Sequence, residues 1–110
     1  MTTQIDEATI FGGPVTFLQL PKVFKGTLKP GSATPSVKHL EVMIAANTAP
    51  LTITNFPDGQ DGQTIRIFGE GQTTVANNAN IVTNTGANKL LAANKFYRFT
   101  LHNKVWYEDA

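Results

Sequence analysis

The stretch LTITNFPDGQDGQTIRIF, residues 51–68, decides the fold class. Its first six residues alternate between two faces, the period of two that is typical of a β-strand. A break of proline, aspartate and glycine follows from Pro57 to Gly62, and these residue types favour turns. Residues 63–68 then alternate again, with Thr64, Arg66 and Phe68 on one face. The sequence therefore predicts two strands around a turn, which either pair as a hairpin or step from one face of a β-coil to the next.

The turn between these strands is acidic and rich in glycine, a composition that also suits calcium. Asp58 and Asp61 are its only carboxylates, whereas a calcium cage uses about six to eight oxygen ligands. We therefore predict a plain turn, with no metal site.

Size, charge and composition exclude several classes of protein. With 110 residues the chain forms one domain, and association with other copies would enlarge its hydrophobic core. A net charge of +1 with 15% charged residues provides no basic stripe for nucleic acid. The chain has no cysteine, which excludes disulfides and thiolate chemistry. It begins without a secretory signal pattern and contains no membrane-spanning apolar run, so we expect a soluble protein made in the cytoplasm of its host.

The N-terminal third differs in composition from the rest. In residues 1–13 the apolar pair Ile10 and Phe11 precedes Gly12 and Gly13. This segment is either a disordered tail or an arm that docks on a neighbour, and the sequence favours neither. Residues 15–29 have a strand pattern that Pro21 interrupts, so each piece is short or lies at a sheet edge.

The turn-rich run KPGSATPSV, residues 29–37, is the best internal boundary. We predict that residues 1–36 form an N-terminal arm and linker used for attachment. Residues 37–110 would then form a compact β body.

The β body shows further strand patterns. Residues 40–44 alternate and predict a strand, although their composition also permits a helix over residues 38–46. The Asn-rich run of residues 72–88 contains short apolar pieces that favour tightly wound β structure. Residues 95–101 predict another strand, and a tight turn at residues 102–104 leads into a final hairpin strand, residues 105–108.

The order of several short motifs resembles a β module of bacteriophage virion proteins, including tail fibres, tailspikes and head-decoration proteins. The resemblance covers about residues 23–108 and departs from the usual pattern where Asn103 and Lys104 replace the glycine common in the final turn. It implies an all-β fold of short strands (a sandwich, or a β-prism or β-helix-like body), assembly as a homotrimer with an extended N-terminal arm, and a structural role on the particle. The motifs are Gly26-Thr27, residues 33–37 (ATPSV), 46–49 (ANTA), 52–56 (TITNF), 61–65 (DGQTI), 73–75 (TTV), 99–101 (FTL) and 105–108 (VWYE).

Residues that could carry catalysis are few. His39 and His102 have no partner at metal-ligand spacing, and there is no nucleophile elbow or phosphate loop. Asp58, Asp61 and Glu70 are the carboxylates that could hydrolyse a glycoside, but nothing in the sequence indicates that they converge. We therefore predict no enzyme activity, no catalytic residues and no cofactor.

The leading hypothesis is a structural protein of the phage virion, located on the particle. It would be a capsid decoration or cement protein, or a small tail or fibre component. Ile10 and Phe11 would attach it, and its partners would be its own copies and other virion proteins, without nucleic acid or membrane.

The alternative is a receptor- or glycan-binding tip of a fibre. Tyr97, Trp106 and Tyr107 would then form the ligand platform, although aromatic residues in a terminal strand are more often core.

Overall fold

The computed structural model describes residues 23–109, which form nine short strands in two sheets and no helix. The predicted all-β class is therefore confirmed. The strands are β1 (Lys25–Thr27), β2 (Val42–Ile44), β3 (Leu51–Ile53), β4 (Thr64–Phe68), β5 (Thr73–Val75), β6 (Ile81–Val82), β7 (Lys89–Leu90), β8 (Phe96–His102) and β9 (Val105–Glu108).

The two sheets are built by a chain that passes repeatedly from one to the other. The six-stranded sheet has the order β1-β2-β4-β8-β9-β6, and the three-stranded sheet has the order β3-β5-β7. In the first, β1, β2 and β4 are parallel; in the second, β3 and β5 are parallel. The stretch 51–68 places β3 in one sheet and β4 in the other. Of the two predicted arrangements, the step of a β-coil is therefore correct and the hairpin is not.

An antiparallel hairpin ends the coil. Strand β8 runs antiparallel to β4 and joins β9 through a tight turn at Asn103 and Lys104. Both turn residues have positive φ, 50° and 68°, as a type I′ hairpin turn requires. Asparagine tolerates this left-handed backbone well, so the hairpin forms without glycine.

The core lies between the two sheets. Ile53 and Val75 project from the three-stranded sheet and meet Ile67, Phe99 and Trp106 from the six-stranded sheet. All five side chains are almost completely buried because alternate residues of each strand face inward. The complete cluster of buried side chains is Leu28, Val37, Met43, Ala45, Ile53, Phe56, Ile65, Ile67, Val75, Ile81, Leu91, Phe99, Leu101 and Trp106.

Strand β2 differs from its predicted form. It begins at Val42, because the chain takes a left-handed turn at His39, where φ is 60°. Val42 and Met43 are both buried although they lie on opposite faces of the strand. The strand is real and the helical alternative for residues 38–46 is wrong, but its alternation does not separate a buried face from an exposed one.

The folded body extends further toward the N-terminus than residue 37. Strand β1 pairs with β2, and Leu28 is buried in the core. The carbonyl of Ala33 accepts a hydrogen bond of 2.8 Å from the amide of Thr54. Part of the predicted arm and linker, residues 1–36, is thus integral to the β body. Ile10 and Phe11 lie outside the described residues.

Polar side chains connect successive turns of the coil at one corner. The amide group of Asn47 accepts a hydrogen bond from Gly31 N and donates one to Thr73 Oγ1, both 2.8 Å long. Glu70 accepts from the backbone N of Asn47 at 2.8 Å. We call Gly31, Asn47, Glu70 and Thr73 the corner ladder, since each connects one turn of the coil to the next.

Candidate interaction surface

Trp106 is a core residue. Only 1% of its surface is exposed, and its indole Nε1 donates a hydrogen bond of 3.0 Å to the carbonyl of Phe56. The ring of Phe56 meets the indole edge-on, with 5.6 Å between ring centroids. A Cβ added at Gly59 would lie 2.3 Å from the indole, so only glycine fits there. Trp106 is therefore not available to a ligand.

Tyr97 and Tyr107 occupy different faces of the six-stranded sheet. Tyr97 is half-buried on the core side, and its hydroxyl accepts a hydrogen bond of 3.0 Å from Ala92 N. Tyr107 is 43% exposed and faces outward, since it follows Trp106 in the same strand. The structure does not bring Tyr97, Trp106 and Tyr107 together, so these three residues do not form the predicted platform.

The two aspartates of the central turn hold backbone in place. Asp58 accepts hydrogen bonds from the Ser36 hydroxyl and, at 2.8 Å, from Val37 N. Burial raises the pKa of Asp58, but these hydrogen bonds outweigh that effect and hold it below the ordinary value of 3.8. Asp61 accepts from Asn103 N at 2.9 Å. These contacts give both carboxylates a structural role within the turn. Within residues 23–109 no group of three or more potential metal ligands is present.

Glu70 lies in the corner ladder and is saturated with hydrogen bonds. Oε1 accepts from Gln72 N and Thr73 N, and Oε2 accepts from Asn47 N and the Thr73 hydroxyl. Burial raises the pKa of Glu70, but these donors lower it by more, so that it lies below the ordinary value of 4.5. A carboxylate so occupied and held as an anion is a poor general acid.

Two of the three predicted carboxylates line the same groove. Asp58 and Asp61 line one open groove together with His39 and Gln60, and Glu70 is not part of its wall. His102 lies at the hairpin turn, 3.4 Å from the side chain of Asn103.

The six-stranded sheet has an outward face that the sequence analysis did not single out as a surface. Strand register aligns Ile44, Phe68 and Phe96 in one row across β2, β4 and β8. Phe96 is 54% exposed, and its ring centroid lies 4.9 Å from that of Phe68. We call this surface the outer face. The alternation of residues 96–101 indicated which side chains share it, but not that this side is open to solvent.

Two arginines lie beside this apolar row. Arg66 and Arg98 are directly opposite in register on β4 and β8. The Arg98 Nε lies 2.6 Å from a carboxylate oxygen of Asp109, which offsets the like-charge contact. The Arg66 guanidinium lies 5.6 Å above the ring of Phe96. The outer face thus combines exposed aromatic rings with guanidinium groups, a composition enriched in protein interfaces.

One ion pair is largely buried and bridges the two sheets. Lys89 of β7 contacts Glu108 of β9, with 2.9 Å between Nζ and Oε2. Glu108 also accepts a hydrogen bond of 2.9 Å from Asn84 N, and Lys89 bonds the Asn84 side chain. This group fastens the end of the three-stranded sheet to the final strand.

The described residues contain no helix that is long and apolar enough to cross a membrane.

Comparison with known proteins identifies the fold unit. No curated protein and no solved structure matched the chain. Residues 26–107 match the family described as the phage depolymerase C-terminal beta sandwich domain. The match begins within β1 and ends within β9, so it spans both sheets. It agrees with the resemblance to β modules of phage virion proteins, and the chain belongs to the family of phage depolymerase C-terminal beta sandwich domains.

Proposed function

We propose that this protein is a structural component of a phage virion, of the tail or tailspike type. The family match over the whole two-sheet body carries the proposal. The local chemistry supports it, because Asp58, Asp61 and Glu70 are engaged in holding turns and corners. A family module from the C-terminal end of depolymerases fits a non-catalytic role on the particle.

We further propose that the protein is located on the tail of the particle. A capsid decoration protein and a small tail or fibre component are both structural, but a depolymerase-type module favours the tail. Gold-labelled antibody against the purified protein, imaged on intact virions, tests this. Label on the tail or its fibres is expected. Label over the head would refute the tail assignment and favour capsid decoration.

Self-association as a homotrimer is the second part of the proposal. The outer face exposes Phe96 and Tyr107, and burying such rings against a second copy would remove apolar area from water. Light scattering coupled to gel filtration tests the mass. A trimer is expected at micromolar concentration, and a monomer would refute it.

A matched pair of variants tests the surface used. Phe96 on the outer face and Leu90 on the three-stranded sheet are 54% and 52% exposed. Phe96→Asp should dissociate the trimer, whereas Leu90→Asp should leave its mass unchanged. The reverse result would move the interface to the three-stranded sheet.

Attachment to the particle is proposed to use Ile10 and Phe11. These residues precede the family module, which begins at residue 26, and they are followed by a Gly-Gly pair that permits a bend. About 13 extended residues reach roughly 40 Å. A chain without residues 1–13 should keep its oligomeric state but fail to bind particles that lack the protein. Undiminished binding would place attachment on the β body.

The alternative, a receptor- or glycan-binding tip, now requires a surface without Trp106. The exposed rings of Phe96 and Tyr107 on the outer face are the aromatic residues available to a sugar. A glycan array with the wild-type protein and Phe96→Asp tests this alternative. Binding that the variant loses would favour the tip function.

A further inference from the structure

Within residues 23–109, one edge of strand β1 has no partner strand. Strand β1 is the first strand of the six-stranded sheet and pairs with β2 alone among the described residues. The carbonyl of Phe24 accepts from Val42 N, and Leu28 N donates to the carbonyl of Ile44, both at 3.1 Å. Backbone groups alternate in direction along a strand, so those of Lys25 and Thr27 point away from β2. These two residues therefore present N–H and C=O groups that can pair with another strand.

An apolar strip lies beside this edge. Val23 and Phe24 are 60% and 48% exposed, although both are large apolar residues. Leu40 continues the strip, since its side chain lies over Gly26 at the centre of β1. A strand added at the edge would bring its own side chains next to this strip and remove apolar surface from water.

The sequence directly upstream has the properties of such a strand. Residues 15–20 read VTFLQL and place Thr16, Leu18 and Leu20 on one face. The length of this segment matches the usual length of a strand in a globular protein, about 5–6 residues. Pro14 and Pro21 bound the segment. Proline lacks an N–H and fixes φ, so it suits a strand end and a turn.

The length of the connection determines the direction of pairing. Pro21, Lys22 and Val23 separate Leu20 from Phe24. A parallel connection needs about a dozen residues or more, so the two segments can pair only as an antiparallel hairpin. We propose that Val15–Leu20 pairs antiparallel with β1 of the same chain, with Leu20 opposite Phe24, and closes the six-stranded sheet at this edge.

The proposed register has defined consequences. Leu18 and Leu20 would share the face of Phe24 and Gly26 and cover the apolar strip. Gln19 would lie opposite Lys25 and Phe17 opposite Thr27, as the hydrogen-bonded pairs of the ladder. An antiparallel edge strand on a largely parallel sheet is a common arrangement. The trimer and attachment proposals do not depend on this strand, and its failure would leave both standing.

Amide hydrogen exchange of the full chain, followed residue by residue by NMR, tests the proposal. The amides of Phe17, Gln19, Lys25 and Thr27 should exchange slowly, whereas that of Leu18, which would point to solvent, should exchange fast. Uniformly fast exchange at these positions would overturn the proposal. Protection of Lys25 and Thr27 that falls on dilution would also overturn it, because a second copy would then supply the strand.

A variant and a matched control sharpen this test. Leu18→Pro interrupts the proposed strand, and Thr3→Pro makes the same change upstream of it. We expect Lys25 and Thr27 to exchange about tenfold or more faster in Leu18→Pro, and at the wild-type rate in Thr3→Pro. The amide of Ile67, inside β4, reports whether the body stays folded. Equal rates for Lys25 and Thr27 in all three proteins would refute the pairing.

Discussion

Replacing Trp106 by alanine should remove a large part of the stability of the fold. The indole is 1% exposed and projects into the core from β9, which pairs with β6 on one side and β8 on the other, so that the backbone cannot move into the space that the indole leaves. Large-to-small changes of buried tryptophan cost about 3–5 kcal/mol. The carbonyl of Phe56 also loses its donor, which moves the expected cost toward the upper end of that range. A small domain has only about 5–15 kcal/mol in total.

Two further variants separate the contributions. Trp106→Phe keeps an aromatic ring but removes the Nε1 donor, and should cost about 1–3 kcal/mol through the unpaired Phe56 carbonyl. Tyr107→Ala changes the neighbouring residue, whose side chain is 43% exposed on the outer face. It should cost less than about 1 kcal/mol at fixed oligomeric state.

The assay is urea unfolding followed by circular dichroism. Trp106 is the single tryptophan, so its fluorescence disappears with the substitution. Measurements at several protein concentrations separate folding from subunit association. A free energy of unfolding within about 1 kcal/mol of wild type for Trp106→Ala would refute the core assignment. Loss of glycan binding in the same variant would then favour the ligand platform.

The remaining predictions concern the polar corner, the ion pair and a close backbone contact. Glu70→Gln should destabilise by about 1–3 kcal/mol at neutral pH. The folded pKa of Glu70 lies below 4.5, so the carboxylate stabilises the fold fully above pH 4.5, and this contribution is lost as the pH falls through the folded pKa. The free energies of unfolding of wild type and Glu70→Gln, measured in urea, should therefore become equal in acid. Lys89→Met leaves the nearly buried Glu108 carboxylate unpaired and should cost about 3–5 kcal/mol; the double variant with Glu108→Leu should recover most of this, and no recovery in thermal unfolding would contradict the ion-pair argument. Gly69→Ala would place a Cβ 2.3 Å from the carbonyl oxygen of Ala92 and should lower stability by about 1–3 kcal/mol in chemical unfolding, whereas an unchanged midpoint would show that this corner can move.

Periodicity in the sequence predicts which residues share a face, but not which strands pair. Residues 63–68 and 95–101 alternate over enough positions to be recognised as strands, and the structure has β4 at Thr64–Phe68 and β8 at Phe96–His102. The parallel pairing of β2 with β4 has no local signal, because the partners are brought together by the path of the coil. The left-handed backbone at His39, which delays the start of β2, is likewise not predictable from a non-glycine residue.

For the candidate site too, the sequence predicts the face on which a side chain lies but not the distant residues that it contacts. Trp106 and Tyr107 are adjacent in a strand and must face opposite sides, so period two alone argues against a platform that contains both. The role of Glu70 could not be predicted, since its partner Asn47 is 23 residues away in the chain. Its saturation with donors depends on the stacking of successive corners.

The antiparallel hairpin β8–β9 prevents the coil from being extended on one side. A parallel coil lengthens by laying each new turn beside the last, in the same direction. On the β4 side this is impossible, because β8 occupies the edge and runs the opposite way. Beyond β1 a further parallel turn could join only in a related module whose upstream residues leave that edge free, since here the proposed strand of residues 15–20 would occupy it. The hairpin works as a terminator, and a module built in this way can end a longer β-coil but cannot be inserted into the middle of one.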